Sequence, residues 1–478
     1  MKCKCHIASR KVYKWKARLN VHGGKQEYGI NYWETYSPVV HWFSIRLVLI
    51  LSILNGWSTC QIDFVMAYPQ APIKCDMYMD IPKGFEFQGD HRSHVLCLKK
   101  NLYGQKQAGQ VWNEYLKKGL LKCGFKQSSV DESVFYKGKI IFLLYVDDGI
   151  FATPTDNDID GVIKQLQELG YDIEVLGTLS EYLGVQVHHL EDGRLHLSQP
   201  HLIQQIIDDI GFNACTRPKS TPVLIHRILH QDPDGEAHDD STWHYRSVIG
   251  KLNFLEKSTR PDIAYAVHQC ARFLENPKVS HAQAVKILIR YLMGTKDKGI
   301  ILNPRDHSFD CWADADFSGN WHHDTAQVDP STAKSRSGYL VTYAGCPILW
   351  ASKLQTEIAL STTKAEYITL SQSLREVIPL IHLMSEIKQQ GMNIYSKEPK
   401  VFCKAFEDNS GALEIAKLPK MRPQTKHMNV KYHHFREHVC SGVIKLFAVG
   451  TEDQIADALT KPLPMETFLK HRLSIMGW

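Results

Sequence analysis

The chain has 478 residues, of which 44% are hydrophobic, 22% charged and 10% aromatic. At ~150 residues per domain this length predicts about three domains, and the apolar share excludes a disordered or collagenous chain. No apolar run approaches the ~18 residues of a membrane-spanning helix, and the opening MKCKCHIASRK lacks the apolar core of a secretory signal.

Lys and Arg number 56 against 51 Asp and Glu, a net charge of +5. The distribution says more than the sum. Residues 1–40 hold eight cations (Lys2, Lys4, Arg10, Lys11, Lys14, Lys16, Arg18, Lys25) against Glu27 and Glu34. With Tyr13 and Trp15 interleaved, this strip suits phosphates, or equally a solvated face. The 12 cysteines include no CxxC pair. Cys3, Cys5 and His6 lie close together, but no second ligand pair follows at zinc spacing, so the cysteines read as reduced thiols of an intracellular protein.

Along the chain, Ser44 to Gly56 is apolar, with Leu47, Ile50, Leu51 and Leu54 at helical spacing. Ser58 to Tyr68 reads as a strand with Asp63 inside it, ended by Pro69 and Pro72. Gln110 to Cys123 reads as a helix closed by Gly124. Ile140 to Val146 is a continuous apolar run and predicts a buried strand. Asp147, Asp148 and Gly149 then make a turn, which places two adjacent carboxylates at a hairpin tip. Glu181 to Ser198 forms a second hairpin around Gly193. Gln231 to Ser241 reads as a linker, and helices are predicted over 245–256, 261–275 and 281–293. From Asp306 the pattern changes to strands (DCWADADF, GYLVTYAG, CPILWAS) and a long helix from Ser361. No repeat of 20–50 residues is evident.

Carboxylates within strands are costly unless a cation compensates them, and Mg²⁺ is the natural choice for carboxylate oxygens beside phosphates. Asp-Asp-Gly alone is an ordinary turn. Here it follows Tyr145-Val146, and seven motifs stand in family order: KWKARL (14–19), YGINYWETYSPVV (28–40), QIDFVMAY (61–68), IPKGF (81–85), LYGQKQAG (102–109), YVDD (145–148) and EYLGVQV (181–187). On these the chain resembles the reverse transcriptase of copia-type LTR retrotransposons, over nearly its whole length.

The resemblance implies a mixed α/β (α+β) chain with a right-hand polymerase fold of fingers, palm and thumb, followed by a ribonuclease H-like domain. It divides the chain at 1–215 (fingers and palm), 216–305 (thumb and connection) and 306–478. In such enzymes Asp63, Asp147 and Asp148 hold two Mg²⁺ ions (Mn²⁺ being the alternative) that activate the primer 3′-hydroxyl and neutralise departing pyrophosphate. Tyr68 would be the aromatic gate that selects dNTPs. Lys16 and Arg18 would meet the triphosphate. Lys106 and Gln107 would hold the template–dNTP pair, with Tyr145 beside them, and Leu183 and Gly184 would form the primer grip. Arg246, Lys251, Arg260, Arg272 and Arg290 would track a duplex.

The later motifs WADADF, STTKAEY, FEDNSGA and QIADALTK, with KSRSGYL and TKHMNVKYHHFREHV, resemble the ribonuclease H of these elements. Asp314, Glu366, Asp408 and Asp457 would be the catalytic set, again holding two ions, while Asp316 reads as a surface or turn residue. His427, His433 and His434 fit an amphipathic structural unit, with a proton shuttle as the other reading. The implied partners are RNA template, DNA or tRNA primer, RNA–DNA hybrid and dNTPs, with no membrane. The implied setting is a cytoplasmic virus-like particle, or the nucleus. The nucleocapsid, protease and integrase motifs of the full polyprotein are absent. The expectation is therefore a late segment of that polyprotein, or a truncated, inactive copy that only binds nucleic acid.

Overall fold

The structure, a computed structural model, describes residues 2–5, 12–16, 19–82, 84–86, 88–90, 93–213, 215–225, 228–324, 327–394, 401–417 and 430–478. For 2–5, 12–16 and 430 it describes the backbone alone. The chain folds as two compact units. One comprises 1–41 with 57–178, the other 42–56 with 179–478. Among the described residues no helix is long and apolar enough to cross a membrane.

The first unit is organised on a six-stranded antiparallel sheet. Its spatial order is Ile173–Gly177, Ser58–Phe64, Asp148–Thr153, Ile140–Tyr145, Val134–Lys137, Lys126–Gln127. Side chains alternate across a strand, so Ile62, Phe64, Phe142, Leu144 and Phe151 share a core cluster. The helices Ala108–Lys122 and Asp156–Glu168 supply Val111, Trp112, Leu116 and Leu120, and Ile159, Val162, Ile163 and Leu166, to the same cluster. Phe142 stacks on Phe151 with centroids 4.4 Å apart. Gly149 pairs with Leu144 and Ile62 in the neighbouring strands, and a Cβ there would meet the Phe142 ring at 2.5 Å. The glycine after the two aspartates is thus dictated by the aromatic beneath it. Ile140 to Leu144 are all buried, which is why the run is apolar without alternation.

In the second unit, a four-stranded antiparallel sheet (Glu181–Tyr182, Val185–His189, Leu195–Ser198, Ile300–Leu302) accompanies helices Pro200–Ile210, Tyr245–Ser258, Ala264–Ala271 and Val279–Gly294. A five-stranded mixed sheet follows in the order Cys346–Leu354, Arg336–Tyr343, Phe309–Asp316, Cys403–Glu407, Ile444–Ala448. Its first three strands pair antiparallel and the last two join in parallel. The Thr362–Gln389 helix packs on the central strands and starts at Ser361, whose hydroxyl accepts from the Lys364 N–H.

The Trp42–Asn55 helix belongs to this second unit, although strands of the first unit follow it directly in sequence. Residues 44–52 are buried on all sides, as expected of an apolar helix without a polar stripe. It packs on the Cys346–Leu354 strand. Arg46 is 2% exposed and donates to the carbonyls of Ile348 (2.9 Å), Ser258 (2.8 Å) and Lys257. Its guanidinium lies 4.1 Å from the centroid of the Trp350 ring. Burial pulls its pKa down to about 9, opposed by the charge of Glu256.

Arg46→Met leaves three carbonyls without their donor, two of them buried, at a cost of about 3 kcal/mol. Hydrogen exchange over 346–354 and 245–258 is expected to accelerate, while 140–153 keeps its wild-type rates. Unchanged exchange in the first two segments would contradict the clamp.

Candidate functional site

Two groups of acids stand in two different units. In the first unit, register places Asp63 directly opposite Asp148, and Asp148 opposite Tyr145. The Asp147 carbonyl accepts from the Phe64 N–H at 2.8 Å, so the turn is tied to the strand that carries Asp63. Val146 sits at φ +57°, a costly conformation for a β-branched residue. Its carbonyl accepts from the buried Trp112 indole at 2.7 Å, which holds the strained tip in place.

Tyr68 lies not in a strand but in the short helix Ala67–Gln70, which follows Met66 at φ +51°. Its ring is 5.1 Å from that of Tyr103. Lys106 is exposed and donates to the Gln26 carbonyl and the Tyr32 hydroxyl. Gln107 is buried and engaged with Gln26, Asn31 and Met77. Leu183 and Gly184 form the left-handed turn between Glu181–Tyr182 and Val185–His189 in the second unit. Arg18 and the Lys16 side chain lie outside the described residues, as do His6, His427 and the Cys3 and Cys5 side chains.

In the second unit, four acids come from four elements. Asp314 is near the end of Phe309–Asp316, Glu366 in the first turns of the long helix, Asp408 just beyond Cys403–Glu407, and Asp457 in the 3₁₀ turn Ile455–Leu459. QIADALTK suggests a helix at Asp457, and the helix that forms is a short 3₁₀ one. There the Gln454 side chain accepts from Ala456 N–H and donates to the Ala313 carbonyl, docking the turn on the central strand. Gly338, opposite Asp314 in register, admits this turn, since a Cβ would meet the Thr460 methyl at 2.5 Å.

Among the described residues, Asp314, Glu366 and Asp408 form the group of three acids whose oxygens all lie within 4.8 Å of one another. Asp63 and Asp148 are paired in register and Asp147 stands in the turn beside them, and the three are not such a group. Asp314 is 3% exposed, and burial raises its pKa against the pull of Lys461 and Thr460. Burial, then Glu407, Asp314 and Asp408, push Glu366 up to about 11. Burial and Asp314 bring Asp457 to about 7, opposed by Lys461. Glu366 Oε2 and Glu407 Oε2 are buried with no hydrogen bond, while Asp457 Oδ1 is buried against the Lys461 ammonium. An all-carboxylate donor set with orphaned oxygens fits a hard divalent cation.

Three contributors escaped the sequence reading. Glu407 is fully buried beside Glu366 and held well above the carboxylate range, first by burial. Thr460 donates to Asp314, and Lys461 lies 2.9 Å from Asp457, its i,i+4 neighbour. Asp316 corrects the reading of a surface or turn residue. It ends the central strand, is half-buried, and is raised to about 6 by burial and by Asp314.

His433 shares a 2.7 Å hydrogen bond with the Tyr367 hydroxyl, to which Arg436 also donates. His434 contacts the Lys431 carbonyl and Ser371. Of the cations read as duplex-tracking, Arg260 is fully buried in a two-bond pair with Asp262, so it cannot meet a backbone. Arg272 is paired with Asp329 and Lys251 with Asp209, while Arg246 is exposed.

Residues 3–225 match the family described as reverse transcriptase (RNA-dependent DNA polymerase). The chain is 33% identical over 469 residues to the retrovirus-related Pol polyprotein from transposon TNT 1-94 of Nicotiana tabacum, covering 96% of this chain and 34% of that protein. It is 34% identical over 470 residues to the corresponding polyprotein from transposon RE1 of Arabidopsis thaliana, covering 95% and 30%. A putative transposon Ty5-1 protein of Saccharomyces cerevisiae is 30% identical over 307 residues, covering 63% of this chain and 95% of that one. The chain thus spans about a third of the length of the two plant polyproteins it matches. A solved ribonuclease H domain from Mycobacterium tuberculosis aligns at 14% identity over 35% of this chain and 99% of its own, with a TM-score of 0.22, too low to bear on the fold. Through these relatives the chain belongs to the Pol polyproteins of copia-type transposons, and it carries their reverse transcriptase domain.

Proposed function

We propose that the chain is an RNA-directed DNA polymerase fused to a ribonuclease H that cuts the RNA strand of RNA–DNA hybrids. The polymerase half rests on one observation, the register that sets Asp148 opposite Asp63 beneath the Tyr145–Asp148 tip. The nuclease half rests on Asp314, Glu366 and Asp408 within 4.8 Å, with Asp457 beside Asp314. On this reading the functional segments are 1–215 (fingers and palm), 216–305 (thumb and connection) and 306–478 (ribonuclease H).

Asp63, Asp147 and Asp148 would hold divalent ions at the polymerase site, and Asp314, Glu366, Asp408 and Asp457 at the nuclease site. Bound there, Mg²⁺ or Mn²⁺ supplies charge stabilisation at the attacking and leaving oxygens. The chain's own residues do the rest. Trp112 and the Phe64 amide fix the tip that presents Asp147 and Asp148. Tyr68 would stack under the incoming sugar and exclude a 2′-hydroxyl. Lys16 and Arg18 would orient the triphosphate, Lys106, Gln107 and Tyr145 the templating pair, and Leu183–Gly184 the primer end. Thr460 and Gln454 hold Asp314 and the Asp457 turn in place.

Primer extension on an RNA template in Mg²⁺ tests the reading. Asp147→Asn is expected to lower extension about a thousandfold, as expected for several kcal/mol of lost charge stabilisation, and to leave hybrid cleavage intact. Asp314→Asn should do the reverse. Salt-sensitive hybrid binding with no turnover at either site would instead identify an inactive relic. Tyr68→Ala should raise rNTP use relative to dNTP by about tenfold to a hundredfold in the same assay, the reach of one steric contact. An unchanged ratio removes the gate from Tyr68.

The raised acids also fix a sign for stability against pH. The folded state holds protons that the unfolded chain gives up near pH ~4. This stability is therefore complete below that value. It is lost as pH rises through about 6 for Asp316 and about 7 for Asp457, and further toward about 11 for Glu366. Metal-free protein should melt at lower temperature at about pH 8 than at about pH 5, and Mg²⁺ should stabilise more at the higher pH. Circular dichroism melts with chelator or Mg²⁺ check both. A flat or rising melting temperature over that window in chelator contradicts the burial of these acids.

A further inference from the structure

We propose that Lys461 is a built-in cation that occupies the Asp457 side of the acid cluster and competes there with a divalent ion. This rests on the reading that the cluster binds divalent metal, and it divides the cluster into two unequal halves. Asp314, Glu366 and Asp408 bring oxygens within 4.8 Å of one another. Asp457 stands outside that group, and the Lys461 ammonium lies 2.9 Å from its Oδ1. The charge of Lys461 also acts on Asp314 and Asp316.

Asp457 Oδ1 is buried, and the Lys461 ammonium at 2.9 Å is the cation that faces it. The backbone beneath it is fixed separately. Thr460 is fully buried, its hydroxyl donates to Asp314, and it also reaches the Asp457 carbonyl at 3.2 Å. Lys461 itself is 34% exposed at the side chain. Its flexible stem can carry the ammonium into solvent without disturbing Thr460 or the turn. The anchored threonine keeps the ligands in place, and the adjacent lysine can be exchanged for an ion.

Two consequences follow for the metal-free protein. The three-acid half binds a divalent ion readily, whereas an ion at Asp457 must displace the ammonium. Lys461 is thus a positioning residue that holds Asp457 until a competing cation arrives, together with the substrate phosphate that helps retain it.

The test is Mn²⁺ binding to the full chain without nucleic acid, by titration calorimetry and by electron paramagnetic resonance of free Mn²⁺. Lys461→Met should tighten the weaker Mn²⁺ site about tenfold, or reveal a second site where the wild type shows one. Lys461→Arg, which keeps the charge, should bind as the wild type. In an Asp457→Asn background, Lys461→Met should have little effect. Melting curves in chelator identify any variant that fails to fold, and for such a variant the Arg substitution and the Asp457→Asn background carry the test. Mn²⁺ binding by Lys461→Met that is unchanged or weaker, with Asp314→Asn abolishing binding, overturns the competition alone. No Mn²⁺ binding by the wild type overturns the metal reading together with it.

Discussion

Asp314, Glu366, Glu407 and Asp457, buried carboxylates drawn from four elements, repel one another, and each has surrendered hydration to be there. In the second unit every nearby feature answers that repulsion. Asp314 has a threonine hydroxyl and the field of a lysine. Asp457 has an ammonium. Glu407 takes one backbone amide, from Asn409, and keeps its other oxygen unsatisfied. Glu366 has the least relief and is displaced furthest among the acids given a value. A chain selected for stability alone would replace such a cluster with apolar residues of similar size. Its retention makes sense when the deficit is made good by cations that are not part of the chain.

The polymerase-type acids obey a different constraint. Their placement comes from backbone pairing rather than from side-chain compensation. Phe142, Phe151 and Ile62 fix the register of the central strands, and a one-residue slip would turn every one of them to the opposite face. Gly149 is part of the same lock. The strained Val146 is affordable because Trp112 supplies both a large buried surface and a donor for its carbonyl. The tip is therefore preorganised by the core beneath it.

Much of this was legible in the sequence because it depends on local pattern. The apolar run from Ile140 and the helix from Ser361 each report on their own neighbours, and a strand and a helix formed there; the hairpin turn shifted to Val146–Asp147, so that Asp148 and Gly149 open the next strand instead of lying in the turn. What depends on distant partners was hidden. Asp316 looked like turn chemistry, yet the central strand extends to include it, opposite Arg336. Arg260 looked like a duplex contact, yet Asp262 two residues on and Tyr291 on another helix bury it. Tyr68 was read into a strand, but Met66 turns left-handed and a short helix begins. In each case the residue type was informative and the identity of its partner was not.

The same limit governs where the units divide. Residues 42–56 lie within the segment that matches the reverse transcriptase family, yet the helix they form packs on the Cys346–Leu354 strand of the second unit. Periodicity announced a buried helix but said nothing of what would bury it. Its lone arginine carries the information: among so many apolar side chains, Arg46 requires several acceptors, and Ile348, Lys257 and Ser258 provide them from two other elements. A short stretch early in the chain is thereby part of the core that supports the acid cluster far downstream. The folding of that core has to wait for both ends of its unit, and a boundary drawn at the family match would divide a hydrophobic interior.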